Sequence, residues 1–282
     1  MTITTKLLDK IGFLRNNLLI SKISPNIFPE FLGIGAQKSG TTWLYENLKK
    51  HPQLYLPKTK EIHFFDRHFY KSINWYCLHF KNAKISQVKG EITPCYSILS
   101  DEKIRFIHEL NPKLKIILLL RNPIERAWSQ AVMNLVKKKN TKTNFPIIDL
   151  ISIIQLAKRK RKKDIDLIKN EEFIDHFNHS RSIERGNYLK IVSKWGKYFP
   201  SDQIFIGDYN QLKNSPQDLL NEVFNFLEVK QISDWNEYPL KNKINKTEDK
   251  NKKMPDKLYE YLANLYRNDL KLLKKEIPTI KW

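Results

Sequence analysis

The chain alternates short apolar runs with longer stretches in which apolar residues recur at helical spacing. The runs 31–35, 115–120 and 203–208 have the length and composition of strands. Continuous apolar runs of this kind are typical of parallel strands that are covered on both faces. The pattern therefore predicts an α/β fold with three layers, in which a mainly parallel central sheet is flanked by helices.

Helical spacing and turn residues give the remaining elements. The predicted helices are 5–22, 41–51, 74–80, 101–111, 216–227 and 256–275. Residues 86–89 predict a short strand, and 54–67 a strand or an extended loop. We expect one large domain spanning residues 1–282, since this length is compatible with a single core.

The turn after the first strand has the composition of a phosphate-binding loop. Its sequence is Gly35-Ala-Gln-Lys-Ser-Gly-Thr-Thr42. Glycines permit close backbone approach, and the free amide groups at a helix N-terminus attract anions. The charge of Lys38 and the hydroxyl groups of the loop add donors. The residues expected to contact phosphate are Lys38, Ser39, Gly40, Thr41 and Thr42.

This loop departs from the pattern of nucleotide triphosphatases, G-x-x-x-x-G-K-[ST]. Lys38 lies inside the loop, and a threonine stands where that lysine is expected. The strand 115–120 ends in Arg121, where such ATPases and GTPases place a metal-binding aspartate. We therefore expect a phosphate site that works without Mg²⁺.

Four segments in the correct order resemble the sulfotransferases that use 3′-phosphoadenosine 5′-phosphosulfate (PAPS), in particular the heparan sulfate and related carbohydrate sulfotransferases. They are Gln37-Lys-Ser-Gly-Thr-Thr-Trp43, Lys60-Glu-Ile-His-Phe-Phe-Asp66, Arg121-Asn-Pro-Ile-Glu-Arg-Ala-Trp-Ser129, and Arg185-Gly-Asn-Tyr188 followed by Trp195. The resemblance implies a fold like that of P-loop kinases. It also implies sulfuryl transfer from PAPS to a hydroxyl or amine group, with a carbohydrate as the expected acceptor and 3′-phosphoadenosine 5′-phosphate as product.

The resemblance places catalysis on residues 60–66. Glu61 matches the catalytic base of the glycan sulfotransferases, and Asp66 matches a nearby acidic position. The alternative for Glu61 is a surface ion pair with Lys58 or Lys60. His63 is the second candidate base, because imidazole titrates near neutral pH. Lys38 is expected to stabilise the charge that develops on the departing phosphate.

The same resemblance assigns further residues to the nucleotide. They are Gln37, Trp43, Arg121, Ser129, Tyr188, Lys250 and Lys252. Trp43 has a core contact as its alternative to stacking on adenine, and Arg121 could instead cap a helix or pair with an acid. Arg126 is expected to form a structural pair. A basic loop at 240–255 is expected to cover the nucleotide.

Residues 90–96 resemble the G-E-K-[ST]-P-x-Y segment of the family, but one position differs from this pattern. Ile92 stands where several relatives have a lysine that contacts phosphosulfate or glycan. Either Lys89 or Lys60 replaces that lysine, or the contact is not used.

The charge balance indicates anionic partners. The chain has 50 Lys and Arg against 30 Asp and Glu, a formal net charge of +20. Such a surface attracts anions over some distance. Residues 137–180 contain two basic runs and are expected to form a helical insertion on the acceptor side. Because no nucleic-acid motif accompanies them, nucleic acid is not the expected partner.

The N-terminal region and the cysteines bear on localisation. Residues 1–25 have neither a continuous apolar core nor a small-residue cleavage site, so we expect a cytoplasmic protein. The basic, apolar segment 6–15 is expected to pack on the domain, with a position on a membrane as the alternative. Cys77 and Cys95 are too few for a disulfide scaffold.

Two other functions remain open on the sequence alone. An ATP-dependent kinase would use the phosphate loop, although the altered lysine position and Arg121 oppose it. A non-catalytic protein that binds anionic polymers would use the basic surface.

Overall fold

The structure is a computed structural model that describes residues 3–20, 27–141, 168–240, 254–280 and 282. Contacts between Cα atoms divide the chain into two compact units. The first contains residues 1–120 and 188–242, and the second contains residues 121–187 and 243–280. The expected single domain stays a prediction.

A five-stranded parallel sheet forms the centre of the first unit. Its strands are β1 (Phe31–Gly35), β2 (Leu54–Tyr55), β3 (Val88–Ile92), β4 (Lys115–Leu120) and β5 (Ile204–Asp208). They lie in the order β2-β3-β1-β4-β5, and every neighbouring pair is parallel. β1 lies at the middle of the sheet, so the loop that follows it opens at the carboxyl edge, where ligands bind in such folds. The predicted α/β fold with a parallel sheet is confirmed.

Helices precede and follow these strands along the chain. They are α1 (Ile3–Ile20), α2 (Thr41–Leu48), α3 (Ile73–Cys77), α4 (Asp101–Leu110), α5 (Pro123–Thr141), α6 (Asn170–Asn178), α7 (Ser180–Gly186), α8 (Tyr188–Gly196), α9 (Tyr209–Asn214), α10 (Pro216–Phe226), α11 (Asp256–Leu265) and α12 (Arg267–Glu276). Short 3₁₀ helices span Leu78–Phe80, Pro94–Ile98 and Ser201–Gln203.

Each unit has its own hydrophobic cluster. In the first unit, side chains of β1, β4, α2 and α10 pack together, including Phe31, Leu48 and Phe224. In the second unit, α5, α6 and α11 supply the cluster, with Phe177 and Leu262 fully buried. None of the described helices is long and apolar enough to cross a membrane.

Two predicted elements differ from the structure. The expected continuous helix 256–275 breaks at Tyr266, whose φ of −100° and ψ of 6° end α11 before α12 begins. Tyr266 is buried, and its hydroxyl group accepts a hydrogen bond from Arg126 in the same unit. In the stretch 54–67, strand pairing is limited to Leu54–Tyr55, because the following residues form turns.

Some predicted features lie outside the described residues. Most of the expected basic insertion falls at 142–167, and most of the nucleotide-covering loop falls at 241–253. Lys250 and Lys252 belong to the second of these segments, so their assignment stays a prediction.

Candidate active site

The phosphate loop connects the end of β1 to the start of α2. Gly40 is the N-cap of α2 and has a left-handed φ of 86°, which glycine adopts without strain. A Cβ atom at Gly40 would also clash with the side chain of Leu212. Lys38 has a positive φ of 72°. The sequence thus forms the tight turn that was predicted, and the first amide groups of α2 face the loop as donors.

Ser39 contributes a buried hydroxyl group to this loop. Its residue is fully buried, and its Oγ has no hydrogen-bond partner among the described residues. The side-chain oxygen of Gln37 is also buried without one. Leaving such a group unpaired costs about 1–3 kcal/mol. The hydroxyl group of Ser39 would donate a hydrogen bond to an oxyanion such as phosphate, whereas the Gln37 oxygen is an acceptor and needs a donor.

Trp43 is one residue inside the helix start and lies in the core of the first unit. Its side chain packs in the cluster of β1 and α10, and its indole N–H donates to the carbonyl oxygen of Leu240 at 3.0 Å. The core contact that was the alternative for Trp43 is therefore present. Stacking on adenine stays a prediction.

Contacts hold the phosphate loop and residues 60–66 to the same part of the first unit. The hydroxyl group of Tyr45, on α2, donates to the carbonyl oxygens of Pro57 and Lys58 at 2.6 and 3.0 Å. Burial, followed by the charge of Glu46, raises the pKa of Tyr45 to about 12, so this donor stays protonated. α2 thus carries the loop at its start and braces the chain that leads into Glu61.

Glu61 belongs to a line of four ionisable side chains, Lys60, Glu61, His63 and Asp66. Its Oε1 lies 2.5 Å from Lys60 Nζ, and its Oε2 lies 3.3 Å from His63 Nε2. Nδ1 of His63 in turn lies 3.0 Å from each carboxylate oxygen of Asp66. The ion pair with Lys60 that was the alternative for Glu61 is present, and His63 links Glu61 to Asp66.

The backbone of this segment is unusual. Glu61 and His63 have positive φ angles of 62° and 56°. A residue other than glycine costs about 1–3 kcal/mol in such a conformation, so the surrounding structure must hold it. The two left-handed residues turn both side chains toward each other.

The line of charges shifts the ionisation of its members. Burial raises the pKa of Glu61, but His63 and Lys60 outweigh it and lower the pKa to about 2. Burial lowers the pKa of His63, but hydrogen bonds to Asp66 and Glu61 outweigh it and raise the pKa to about 9. At neutral pH, Glu61 is therefore a carboxylate facing two cations.

A buried carboxylate that was not among the predicted site residues supports this segment. Glu91, on β3, is 2% exposed and accepts hydrogen bonds from the hydroxyl groups of Tyr76, Thr93 and Tyr96 at 2.7 to 2.8 Å. Burial raises the pKa of Glu91, while these hydrogen bonds act in the opposite direction. The side chain is satisfied, so its role is to position other groups.

Glu91 and Tyr96 fix the backbone on both sides of His63. The amide of Ile62 donates to Glu91, and the amide of Phe64 donates to the hydroxyl oxygen of Tyr96 at 2.9 Å. The sequence signal for Glu91 and Tyr96 was the segment 90–96, which resembles the family but does not indicate that it contacts residues 62–64.

Among the described residues, one group of side chains has the spacing of a metal site. The ligand atoms of His63, Asp66 and Cys95 lie within 4.8 Å of one another. The contact of His63 with both oxygens of Asp66 is accounted for by a hydrogen-bonded ion pair. Cys77 and Cys95 are both buried and form no disulfide.

The expected substitutes for the family lysine at position 92 have other partners. Ile92 is buried against Gly33 of the neighbouring strand. Lys89 pairs with Glu30 at 2.8 Å, and Lys60 pairs with the carboxylate of the candidate base. Of the two lysines, Lys60 is the one whose charge lies at the site.

Arg121 and Ser129 lie in the second unit. Nε and Nη2 of Arg121 both donate to one oxygen of Glu125 at 3.0 Å, which is the acid pairing given as the alternative for this residue. Ser129 is half-buried two turns along α5. Tyr188, at the start of α8 in the first unit, is fully buried. A joint role of Lys38 and Arg121 in holding one nucleotide stays a prediction.

Arg126 is a structural residue, as the sequence indicated. It is fully buried and donates to Gln130 at 2.5 Å, to the carbonyl oxygen of Ser182 at 3.1 Å and to Tyr266 at 3.4 Å. These partners join α5, α7 and the end of α11 within the second unit.

A cleft of about 440 Å³ lies between α5, α6 and α7 in the second unit. Its charged and histidine side chains are Lys138, Glu172, Asp175, His176, His179, Arg181 and Arg185. Burial lowers the pKa of His176, and the neighbouring cations act in the same direction. The hydroxyl group of Ser182, which is 2% exposed, has no hydrogen-bond partner in the described structure. The cleft suits a polar ligand with negative charge.

Comparison with known proteins gives the following relatives. A membrane-associated sulfotransferase, kil1, of Dictyostelium discoideum is 26% identical over 303 residues, covering 85% of this chain and 63% of the relative. Human heparan sulfate glucosamine 3-O-sulfotransferase 6 is 28% identical over 205 residues, covering 73% of this chain and 54% of the relative. The chain therefore spans between half and two thirds of the length of these curated relatives.

Structure and family comparisons agree with these relatives. The crystal structure of a sulfotransferase from Alicyclobacillus acidocaldarius has the same fold, with a TM-score of 0.63 at 21% identity, covering 89% of this chain and 96% of that chain. The model of the sulfotransferase domain family matches residues 29–273, which include β1, the phosphate loop and Glu61. The resemblance that the sequence motifs indicated is confirmed, and the chain belongs to the sulfotransferase domain family.

Proposed function

We propose that the chain transfers a sulfuryl group from PAPS to a hydroxyl or amine group of a carbohydrate. The observation that carries this proposal is the pairing, in one unit, of a phosphate loop with an unpartnered buried hydroxyl group at Ser39 and a line of charges that begins at Glu61. A kinase active site would be expected to add acidic metal ligands after β4, where this chain has Arg121.

The reaction divides between the two groups of residues. The acceptor oxygen forms a bond to sulfur while the bond from sulfur to the 5′-phosphate oxygen breaks, and its electron pair stays on that phosphate oxygen. Glu61 takes the proton of the acceptor. Lys38, the hydroxyl group of Ser39 and the amides of the loop stabilise the charge on the departing phosphate.

The low pKa of Glu61 has a consequence for this mechanism. A carboxylate with a pKa of about 2 is a weak base, since base strength follows pKa. Withdrawing Lys60 from Glu61 removes one cause of that low pKa. We infer that Lys60 moves to an anionic group of donor or acceptor when the substrates bind, and that Glu61 becomes a stronger base as a result.

His63 and Asp66 keep Glu61 in position through this change. The N–H at Nδ1 of His63 donates to the carboxylate of Asp66, and this contact orients the imidazole so that Nε2 faces Glu61. A histidinium held in this way stabilises the Glu61 carboxylate in the resting protein. His63 and Asp66 thus act as positioning residues, and Glu61 acts as the base.

Recognition of the donor rests on its two phosphate groups. The loop would hold the 5′-phosphosulfate, and Arg121 and Ser129 would hold the 3′-phosphate. Trp43 and Tyr188 would contact the adenosine, and Lys250 and Lys252 would cover it. A donor without a 3′-phosphate would lack the contacts with these residues, which costs affinity.

The acceptor is proposed to be an acidic or neutral glycan. The names of several relatives state heparan sulfate as their substrate. The cleft of the second unit, with three cationic and two acidic side chains, suits a sugar that carries both an anionic group and hydroxyl groups. A glycan also agrees with the formal charge of +20.

Radiolabelled PAPS offered with desulfated heparan-type glycans, neutral glycans, phenols and lipids tests the proposal. We expect label on a glycan, with loss of about a hundredfold or more in turnover for Glu61→Gln. Glu109→Gln is the matched control, because Glu109 is an exposed carboxylate on α4 that takes no part in the site. Normal turnover in Glu61→Gln, or transfer to no acceptor by the wild-type protein, would contradict the proposal.

A further inference from the structure

α1 packs on the first unit through a face that carries Gly12, Phe13 and Asn16. Asn16 is fully buried, and its side-chain N–H donates to the carbonyl oxygens of Phe69 and Lys71, while its Oδ1 accepts from the amide of Ile73. A Cβ atom at Gly12 would lie 2.5 Å from the carbonyl oxygen of Phe69. The ring of Phe13 lies on the same side, 4.8 Å from the ring of Phe69 and 6.0 Å from that of Phe106, so α1 packs through a small residue, an amide side chain and an aromatic ring.

The opposite face of α1 is apolar and exposed. Leu7, Ile11, Leu14 and Leu18 are 57, 46, 71 and 76% exposed. Their spacing of four, three and four residues places them within an arc of about 60° on a helix that turns about 100° per residue. Gly12 and Asn16 lie roughly 100–180° away from the residues of this arc. The apolar stripe thus points away from the unit that α1 packs on.

Basic side chains flank the stripe on both sides. Lys10 precedes it around the helix and Arg15 follows it, each within roughly 80° of its centre, and both are exposed. Arg15 also donates from Nη1 to the carbonyl oxygen of Tyr70 at 3.2 Å, so its guanidinium group lies at the edge of the exposed face. The acid of this segment, Asp9, is turned inward, where it pairs with the buried Lys103 at 2.7 Å. The outward face of α1 therefore combines apolar side chains with positive charge.

We propose that this face of α1 docks on an anionic lipid surface, with Leu7, Ile11, Leu14 and Leu18 entering the interfacial region and Lys10 and Arg15 contacting the headgroups. An amphipathic helix with leucines on one side and Lys or Arg beside them lies in the plane of a membrane in this way. The net charge of +20 adds long-range attraction to the same surface.

A second copy of the chain is a poorer occupant for two reasons. The exposed part of the four side chains amounts to roughly 350–450 Å² of apolar area, against about 800 Å² that each partner buries in a stable complex. Pairing two copies through this stripe would also bring Lys10 and Arg15 of both copies together, and like charges oppose such contact.

Flotation of the full chain with phosphatidylcholine vesicles, with and without phosphatidylserine, tests the apolar part of the proposal. The test variant is Leu14→Ser with Leu18→Ser, which changes exposed side chains and preserves the buried face. The matched control is Leu78→Ser with Ile85→Ser, since both residues are exposed apolar side chains of the same unit. We expect the wild-type protein and the control to float with phosphatidylserine vesicles, and the stripe variant to bind about tenfold more weakly or worse.

A second pair of variants tests the charges. Lys10→Gln with Arg15→Gln should weaken binding to phosphatidylserine vesicles about fivefold for each charge removed. Added salt should weaken the binding of the wild-type protein to these vesicles similarly. Arg105→Gln with Lys197→Gln removes two exposed charges elsewhere in the same unit and should have a smaller effect. Circular dichroism and thermal unfolding establish that all variants are folded.

Three results would overturn the proposal. The first is equal flotation of the stripe variant and the wild-type protein. The second is an equal loss of binding in both members of either matched pair. The third is a dimer in sedimentation velocity without lipid that Leu14→Ser with Leu18→Ser converts to a monomer. The third would show that a second copy of the chain covers the stripe.

Discussion

Replacing Asp66 with asparagine removes the carboxylate that holds His63. Nδ1 of His63 lies 3.0 Å from both oxygens of Asp66. The side chain of His63 is 10% exposed, so solvent screens the pair little. The pKa of His63 is raised from 6.5 to about 9. That difference corresponds to about 3 kcal/mol, at about 1.4 kcal/mol per pKa unit. It is the net result of burial and Arg67, which lower the pKa, and of Asp66 and Glu61, which outweigh them. We assign about 2 kcal/mol of it to Asp66, which makes the closer contacts.

The sign of the shift fixes the pH dependence of stability. A raised pKa means that the folded state binds the proton of His63 more tightly, so the stabilisation is fully present below pH 6.5 and is lost as the pH rises through about 9. Asp66→Asn should therefore lower the free energy of unfolding by about 2 kcal/mol at pH 6 and by clearly less at pH 10.

Urea unfolding of the wild-type protein and Asp66→Asn at the two pH values measures this difference, and NMR titration of the histidine ring protons gives the pKa of His63 directly. Asp202→Asn, at an exposed aspartate, is the matched control. The reasoning is refuted if Asp66→Asn destabilises the protein equally at pH 6 and pH 10, or if the pKa of His63 stays near 9 in the variant.

Three further predictions concern the same unit. Tyr96→Phe removes a hydrogen-bond donor from buried Glu91, so urea unfolding should show a loss of about 1–3 kcal/mol of stability. Turnover should also fall, because Tyr96 supports the backbone next to His63. Gly40→Ala should abolish binding of 3′-phosphoadenosine 5′-phosphate in calorimetry, because φ is 86° there; tight binding would contradict the geometry of the loop. Lys60→Met removes one cause of the low pKa of Glu61, so the acid limb of the rate profile should move to higher pH, and an unmoved limb would exclude their coupling.

The central sheet and the phosphate loop were predictable because local chemistry determines them. β4 is a continuous apolar run, and the loop has a glycine at Gly40, where φ is 86° and a residue with a Cβ atom would be strained. The identity of the segment with Glu61 came from its resemblance to a family. The residues themselves favoured the surface-pair alternative, and the structure shows that the pair with Lys60 and the contact with His63 coexist.

The support beneath the site was not predictable from the sequence. Glu91 and Tyr76 are 15 positions apart, and nothing in either residue type indicates that they share a hydrogen bond. The left-handed conformations of Glu61 and His63 are likewise imposed by tertiary contacts, since local preference opposes them. The break at Tyr266 has the same origin, because helical spacing continues through it.

The exposure of α1 shows a different limit. Its apolar spacing indicated a helix packed on the domain, and the helix does pack there. Periodicity locates an apolar face but does not say which face is covered, and in α1 hydrogen bonds from Asn16 decide the orientation.

The sequence motifs predict that one nucleotide contacts Lys38 through its 5′-phosphate and Arg121 through its 3′-phosphate. Calorimetry of 3′-phosphoadenosine 5′-phosphate and of adenosine 5′-phosphate, with the wild-type protein, Lys38→Ala and Arg121→Ala, tests it most directly. We expect the wild-type protein to bind 3′-phosphoadenosine 5′-phosphate at least about tenfold more tightly than adenosine 5′-phosphate. Lys38→Ala should weaken the binding of both nucleotides, and Arg121→Ala should weaken the binding of 3′-phosphoadenosine 5′-phosphate alone. Equal affinity of the wild-type protein for the two nucleotides would contradict it.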